Sequence, residues 1–224
     1  MADTAIFDVD GTLVDTNYQH ALAWFRAFRR FEITVPLWRL HRAIGMGGDR
    51  LVSEVAGPGV EASHGDRLRT AWSEEFDPFV AEVQPFEAAH ELLKDVKDRG
   101  FQVVLASSGT ADLVKTFLDL VDARDLADAW TSSEDAEASK PAPDIVQSAL
   151  AKIGRDNGAG AALVGDSTWD AIAAGRLGIP TIAIRTGGFS SEELRDAGAS
   201  WVYDSLSELR QNLDQTPLGR PSQS

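Results

Sequence analysis

The sequence predicts an α/β fold in which a parallel sheet, covered by helices on both faces, carries a small inserted helical domain. Three observations support this prediction. The apolar run Ala5-Ile6-Phe7 leads directly into Asp8-Val9-Asp10-Gly11, as expected for a buried strand that ends in a turn. Residues 16–84 then show apolar side chains at helical spacing. After Pro85, helical and strand patterns alternate.

The elements can be assigned in order along the chain. Leu22, Phe25 and Phe28 recur at helical spacing, and Pro36 suits the first turn of a second helix. The further helices are predicted at 37–44, 49–55, 60–80, 87–99, 112–121, 144–153 and 168–177, and the further strands at 101–106, 129–131, 161–164 and 181–184, before a last short strand and helix from Ala199. This alternation is typical of a Rossmann-like parallel sheet.

These patterns divide the chain into three parts. Residues 1–15 and 86–213 are predicted to form the α/β core, and residues 16–85 an inserted helical cap. Residues 214–224 are polar and contain two prolines, so we expect a flexible tail there. A length of 224 residues suffices for one large domain or for a core with a small insert.

The composition indicates an ordinary globular protein and limits its partners. The 35 acidic and 21 basic side chains give a formal charge of −14, which disfavours binding to nucleic acid or to an anionic membrane surface. No stretch approaches the ~18 apolar residues of a membrane span. The absence of cysteine suits a reducing cytoplasm. We expect a cytoplasmic protein that is a monomer or a weak dimer.

Carboxylates directly follow two of the predicted strands. Asp8 and Asp10 follow the first strand, and Asp166 follows the strand at 161–164. Because ligands collect at the carboxyl ends of parallel strands, these side chains are candidates for the active site. Repulsion between two close carboxylates raises the pKa of one of them unless a cation lies between them. Two options stay open: a protonated carboxyl that acts as an acid, and a bound Mg²⁺, which prefers oxygen ligands.

The other polar residues at this edge suit a phosphate group. Ser107 follows the strand at 101–106, and Lys140 precedes a helix. At Gly109, backbone N–H groups at a helix N-terminus are expected to be open to an anion. Mg²⁺, a lysine and hydroxyl groups together neutralise a phosphoryl group in its transition state. The sequence therefore predicts a site for a small phosphorylated metabolite.

Four segments carry a family resemblance. They are DVDGT from Asp8, VVLASS with Ser107, SKPAPD with Lys140, and GDSTWD at 165–170. In this order they resemble the four motifs of the haloacid dehalogenase-like hydrolase superfamily, over about residues 4–204. The helical insert resembles the cap of the phosphoglycolate phosphatase and β-phosphoglucomutase branch.

The resemblance implies a role for each motif residue. Asp8 would attack phosphorus and form an aspartyl-phosphate, and Asp10 would protonate the leaving oxygen and then activate water. Ser107 would bind phosphoryl oxygens, and Lys140 would orient Asp8. The implied metal ligands are Asp8, Asp10 through its backbone oxygen, and Asp166. Asp170 would contact these ligands without binding the metal itself. The candidate substrate-binding residues are Gly11, Ser108, Gly109, His20 and Arg50.

Two features of the cap bear on specificity. Residues 45–50 are expected to form a loop over the active site. Residues 16–50 contain six arginines against Glu32 and Asp49. If this half of the cap faces the crevice, it would supply positive charge for a phosphorylated substrate.

The leading hypothesis is a Mg²⁺-dependent phosphatase that acts on a small monoester of the phosphoglycolate or sugar-phosphate type. A β-phosphoglucomutase-like phosphotransferase is the alternative, because it shares the aspartyl-phosphate. The arginine that those mutases carry after the cap glycine is not cleanly aligned here. A non-hydrolytic phospho-aspartate signalling or binding protein is an alternative of another class, although such domains lack a helical cap.

Overall fold

The structure is a computed structural model that describes residues 2–219 and contains a six-stranded parallel sheet. The strands are β1 (Thr4–Phe7), β2 (Gln102–Ala106), β3 (Ala129–Thr131), β4 (Ala161–Gly165), β5 (Thr181–Ile184) and β6 (Ala199–Tyr203). Their order in the sheet is β3-β2-β1-β4-β5-β6, and every neighbouring pair is parallel. The predicted α/β fold is confirmed.

Within the described residues, the sheet is accompanied by ten α-helices. They are α1 (Asn17–Arg30), α2 (Leu37–Ala43), α3 (Gly48–Ala56), α4 (Pro58–Phe76), α5 (Ala89–Asp98), α6 (Ala111–Leu120), α7 (Asp144–Lys152), α8 (Thr168–Gly175), α9 (Ser191–Asp196) and α10 (Leu206–Gln211). The first four lie between β1 and α5 in the chain, whereas the later helices alternate with strands.

Both faces of the sheet are buried. Ala5 and Phe7 of β1 belong to the apolar cluster on one face, and Ile6 belongs to the cluster on the other, because side chains alternate along a strand. This two-sided burial explains why the strands are continuous apolar runs instead of alternating polar and apolar residues.

Helices α1–α4 enclose an apolar cluster of their own. Its members include Trp24, Phe28, Leu40, Leu51 and Leu68, all of which are buried. These side chains recur at helical spacing and make each helix amphipathic, so the helices pack against one another above the sheet.

The position of β1 determines where the site lies. Its last residue, Phe7, is in register with Leu105 of β2 on one side and Val164 of β4 on the other. The chain segments that leave these three strands therefore meet at one edge of the sheet. This is the switch point at which open parallel sheets bind ligands.

The end of the chain differs from the expected flexible tail. A 3₁₀ turn covers Leu213–Gln215, Leu218 is completely buried, and Arg99 donates to Asp214 and to the carbonyl of Gly219. The prediction is therefore wrong for residues 214–219, because one apolar side chain anchors an otherwise polar segment. Residues 220–224 lie outside the described residues. No helix within residues 2–219 is both long and apolar enough to cross a membrane.

We expect Leu92→Ala in α5, where the side chain is 0 % exposed, to lower the free energy of unfolding by about 2–5 kcal/mol. The substitution leaves a cavity in the main core. The same change at Leu120, which is 37 % exposed, is the matched control and is expected to cost less than about 1 kcal/mol. Urea unfolding measures both values, and equal losses would contradict the assigned core.

Candidate active site

The candidate active site lies at the edge of the sheet where the chain leaves β1, β2 and β4. Asp8 and Asp10 follow β1, Ser107 follows β2, and Asp166 follows β4. Because β1 lies between the other two strands, these residues converge although they are far apart in the sequence.

Lys140 lies at the centre of the site and is only 2 % exposed. Its Nζ donates to Asp8 and lies 2.6 Å from Oδ1 of Asp170. Burial alone lowers the pKa of Lys140, but the negative charges of Asp170 and Asp8 raise it above its ordinary value. Lys140 is therefore positively charged at neutral pH, and it orients the carboxylate of Asp8.

The carboxyl groups around Lys140 carry more negative charge than one lysine can offset. Burial raises the pKa of Asp8 well above its ordinary value; Lys140 opposes this shift, and the charges of Asp170 and Asp166 add to it. Burial, with a contribution from the charge of Asp170, also raises the pKa of Asp166 to about 7. In both groups, burial and the neighbouring carboxylates disfavour the ionised form by more than Lys140 and the hydrogen-bond donors favour it.

The same carboxyl groups can hold a divalent cation. Oxygen atoms of Asp8, Asp166 and Asp170 lie within 4.8 Å of one another. Three carboxylates against the single ammonium of Lys140 leave a formal charge of −2, which one divalent ion would neutralise. On Asp170, Oδ1 contacts Lys140 and Oδ2 accepts two hydrogen bonds from Ser167, whereas Oδ2 of Asp8 and each oxygen of Asp166 contact a single neutral donor. Asp8 and Asp166 are therefore the better placed ligands. Their hard oxygen atoms suit Mg²⁺.

Two residues that sequence analysis did not single out orient Asp166. Thr12 Oγ1 donates to Asp166 Oδ1 at 2.9 Å and lies 3.2 Å from Asp8 Oδ2. Asn17 Nδ2 donates to Asp166 Oδ2 at 2.9 Å. Thr12 is part of the DVDGT segment, which could have drawn attention to it. No sequence pattern distinguishes Asn17 at the start of α1.

Asp10 accepts hydrogen bonds on both carboxylate oxygens. Oδ1 lies 3.0 Å from His20 Nε2 and 3.3 Å from Thr16 Oγ1, and Oδ2 lies 3.1 Å from Ser107 Oγ. Burial raises the pKa of Asp10, but the hydrogen bonds from His20 and Ser107 and the electrostatic attraction of His20 and Lys140 outweigh this effect and lower it. Asp10 is therefore ionised here, whereas the sequence had left open that it holds a proton.

Ser107 and Gly109 differ from the expected phosphate contacts. The backbone N–H of Gly109 donates to Ser107 Oγ at 3.0 Å, so the prediction of open N–H groups is wrong for Gly109 itself. Ser107 itself is fully buried, and its hydroxyl group donates to Asp10. Ser108 and Gly109 do line the cavity above Asp8.

Gly11 and Arg50 do not contact the cavity. Gly11 has φ +79°, and a Cβ there would lie 2.5 Å from Asp166 Oδ2 and 2.3 Å from Asn17 Nδ2. Glycine is therefore required for the close approach of these groups, not for substrate contact. The side chain of Arg50 is 52 % exposed, and its Nε lies 3.8 Å from Asp49, so the structure does not bring Arg50 to the site.

A cavity of about 530 Å³ lies between helices α1–α4 and the sheet edge. Its lining includes Asp8, Asp10 and Lys140, residues 44–49, and aromatic rings of α1 and α4. His20 also lines the cavity. The expected loop at 45–50 is therefore found only at 45–47, because residues 48–50 form the first turn of α3. None of the six arginines at 16–50 lines the cavity.

Known proteins resemble this chain over most of its length. The phosphoglycolate phosphatase of Caulobacter vibrioides is 28 % identical, covering 92 % of this chain and 88 % of the relative. The pyrophosphatase PpaX of Bacillus pumilus is also 28 % identical, covering 92 % and 94 %. The crystal structure of a hydrolase from Pseudomonas syringae aligns with a TM-score of 0.88 at 29 % identity, covering 95 % of this chain and 98 % of that chain.

The family model described as haloacid dehalogenase-like hydrolase matches residues 5–184. This region contains β1 to β5, the cap helices and all four segments that supply the site residues. The chain therefore belongs to the haloacid dehalogenase-like hydrolase family, as the order of its motifs predicted.

Proposed function

We propose that this enzyme is a Mg²⁺-dependent phosphatase that hydrolyses a small phosphate monoester through an aspartyl-phosphate on Asp8. The observation that carries this proposal is the buried carboxylate of Asp8, which Lys140 holds at the end of a cavity. Asp10 lines the same cavity and is placed for proton transfer. The relatives named as phosphatases support the same chemistry.

The reaction follows from these positions in two steps. The carboxylate of Asp8 attacks phosphorus, the bond from phosphorus to the leaving oxygen breaks, and Asp10 gives its proton to that oxygen. In the second step Asp10 takes a proton from water while the water oxygen attacks phosphorus. The bond between phosphorus and Asp8 then breaks, which releases inorganic phosphate and restores both carboxyl groups.

Asp10 must take up a proton before the first step, because its pKa lies below the ordinary value in this structure. A phosphate dianion that enters the cavity faces this carboxylate. Since like charges disfavour the ionised form, substrate binding favours proton uptake by Asp10. Ser107 and His20 hold the carboxyl group in place through both steps.

Asp8, Asp166 and the backbone oxygen of Asp10 would hold the metal ion. When bound, Mg²⁺ supplies positive charge that offsets the negative charge of the phosphoryl oxygens. Thr12 and Asn17 keep Asp166 oriented toward this position. Lys140 supplies the second positive charge and stays paired with Asp8.

The cavity favours hydrolysis over the two alternatives. A phosphoglucomutase-like enzyme binds a second phosphate group, but the only arginine that lines the cavity of the described chain, Arg69, is already paired with Glu61 and Asp66. A signalling domain that only stores a phospho-aspartate has no need of a 530 Å³ cavity for a leaving group.

Asp8→Asn should lower kcat by roughly four orders of magnitude or more, because the amide is a poor nucleophile. The measurement is phosphate release from an aryl phosphate in the presence of Mg²⁺. Asp122→Asn is the matched control, since this side chain is 95 % exposed, and it should retain the wild-type rate. A wild-type rate for Asp8→Asn would exclude the proposed nucleophile.

Asp10→Asn should lower steady-state kcat by roughly 10²–10⁴-fold, because both steps lose their proton carrier. With p-nitrophenyl phosphate the first step depends less on an acid, since nitrophenolate leaves readily. Stopped-flow absorbance is therefore expected to show a burst of nitrophenolate followed by slow turnover. Equal slowing of the burst and of the later phase would contradict this division of roles.

Chelation with EDTA should abolish phosphate release, and added Mg²⁺ should restore it. Asp166→Asn should raise the Mg²⁺ concentration needed for half-maximal activity by roughly tenfold or more, because the variant loses a charged ligand. The matched control is Asp122→Asn, which should leave this concentration unchanged. Full activity in EDTA would contradict the metal dependence.

A further inference from the structure

Aromatic rings form part of the cavity wall. Trp24 of α1 and Trp72 of α4 both line the cavity and stack at 5.5 Å between ring centroids. Trp72 also stacks on Phe76 and on His20, each at 5.5 Å, so the wall extends to the catalytic carboxylates. Flat rings offer a leaving group a large apolar surface.

Arg69 lines the same cavity, but its guanidinium group is already paired with two carboxylates. Nη1 donates to Glu61 at 2.9 Å and to the carbonyl of Gly48 at 3.1 Å, and Nη2 donates to Asp66 at 2.8 Å. Two carboxylates therefore face one guanidinium group. No net positive charge remains there for a second anionic group of a substrate.

Two further acidic residues line the cavity. Asp49 accepts a hydrogen bond from Ser139 Oγ at 2.5 Å and lines the cavity together with Glu137. Lys140 also lines the cavity, but it is paired with the catalytic carboxylates. A carboxylate on the leaving group would thus meet like charges, and the lysine and arginine that line the cavity among residues 2–219 are both already paired.

The volume of the cavity also bears on the size of the substrate. Its 530 Å³ lies in the range of ~300–1,000 Å³ that is typical of sites for drug-sized ligands. A two-carbon leaving group would leave most of this space, and most of the aromatic surface, without contact. A ring-bearing leaving group would bury that surface.

We propose that the substrate is a phosphate monoester whose alcohol part carries a ring or a comparable apolar body and no second negative charge. The proposal rests on the phosphatase activity proposed above and narrows its substrate class. Trp72, which stacks on the buried Trp24, supplies the surface that holds the ring, and the Arg69–Glu61–Asp66 cluster disfavours anionic leaving groups. Phosphoglycolate, with its short carboxylated leaving group, is disfavoured on both grounds.

Two matched pairs of substrates test the charge preference. Phenyl phosphate is compared with 4-carboxyphenyl phosphate, and ethyl phosphate with phosphoglycolate, at saturating Mg²⁺. We expect kcat/KM to be about tenfold or more higher for the uncharged member of each pair. A carboxylate makes each alcohol a better leaving group, so chemical reactivity alone would produce the opposite order.

The variant Glu61→Gln/Asp66→Asn tests the cause of this preference by freeing the charge of Arg69. It should raise kcat/KM for the carboxylated esters, relative to the uncharged ones, by about tenfold. The control Asp98→Asn/Asp119→Asn changes the net charge equally at two exposed ion pairs, with Lys94 and Arg124. It should leave the ratio unchanged.

Trp72→Ala tests the aromatic surface. It should raise KM for phenyl phosphate by about tenfold and leave KM for ethyl phosphate within about twofold, because only the ring contacts the indole. Trp72→Phe keeps an aromatic ring and should retain most of the affinity for phenyl phosphate. Circular dichroism and thermal unfolding show whether each variant is folded.

The outcomes separate this inference from the phosphatase proposal. Equal or higher kcat/KM for the carboxylated esters, with activity that Asp8→Asn abolishes, would overturn the substrate class and leave the phosphatase intact. An equal change in the ratio of kcat/KM values, carboxylated to uncharged ester, in both double variants would also overturn the substrate class and leave the phosphatase intact. Failure to hydrolyse any of the four esters, phenyl phosphate included, would instead count against the phosphatase itself.

Discussion

The site depends on the buried ammonium group of Lys140, which is held between Asp8 and Asp170. A charge that is only 2 % exposed is stable only when it is paired, and loss of one partner of a buried pair typically costs about 3–5 kcal/mol. Asp170 also accepts hydrogen bonds from Ser167 and thereby caps the start of α8. The proposed nucleophile, the lysine and the start of a helix therefore form one network. Any change in one of these groups alters the position of the others.

The same network has an excess of negative charge that a bound cation could neutralise. The positive charge of Lys140 offsets the negative charge of one of the three buried carboxylates. Burial and the remaining negative charge raise the pKa values of Asp8 and Asp166. Asp10 is different, because His20 and Ser107 stabilise its ionised form. Two carboxylates that are separated by a single residue thus have opposite pKa shifts. This difference suits one of them to metal and phosphorus chemistry and the other to proton transfer.

The arginines that are concentrated in the first half of the cap sequence do not line the cavity. Three of the arginines of α1 and α2 pair with acids on other elements: Arg26 with Glu75, Arg30 with Glu74 and Arg42 with Glu193. Arg69 does line the cavity, but carboxylates from its own helix neutralise it. Contrary to expectation, the arginines at 16–50 therefore bring no side chain to the cavity lining. The cavity is defined instead by aromatic surface and by an excess of acids.

The sequence by itself determined the fold class and the core of the site, because both depend on local patterns. Apolar runs that end in Asp8, Ser107 and Asp166 mark buried strands, and the ends of parallel strands must meet at one edge of the sheet. The family model for haloacid dehalogenase-like hydrolases, which matches residues 5–184, agrees with this interpretation.

Only the tertiary structure decided which of the remaining polar groups are free. The N–H of Gly109 is occupied by Ser107, Arg50 lies outside the cavity, and Leu218 anchors a segment that is polar in sequence. Each outcome depends on a contact between elements that are remote in the chain or on the side of the helix that packing leaves exposed. Hydrogen bonds and ion pairs act over only a few ångströms, so their partners are known only once the elements are packed.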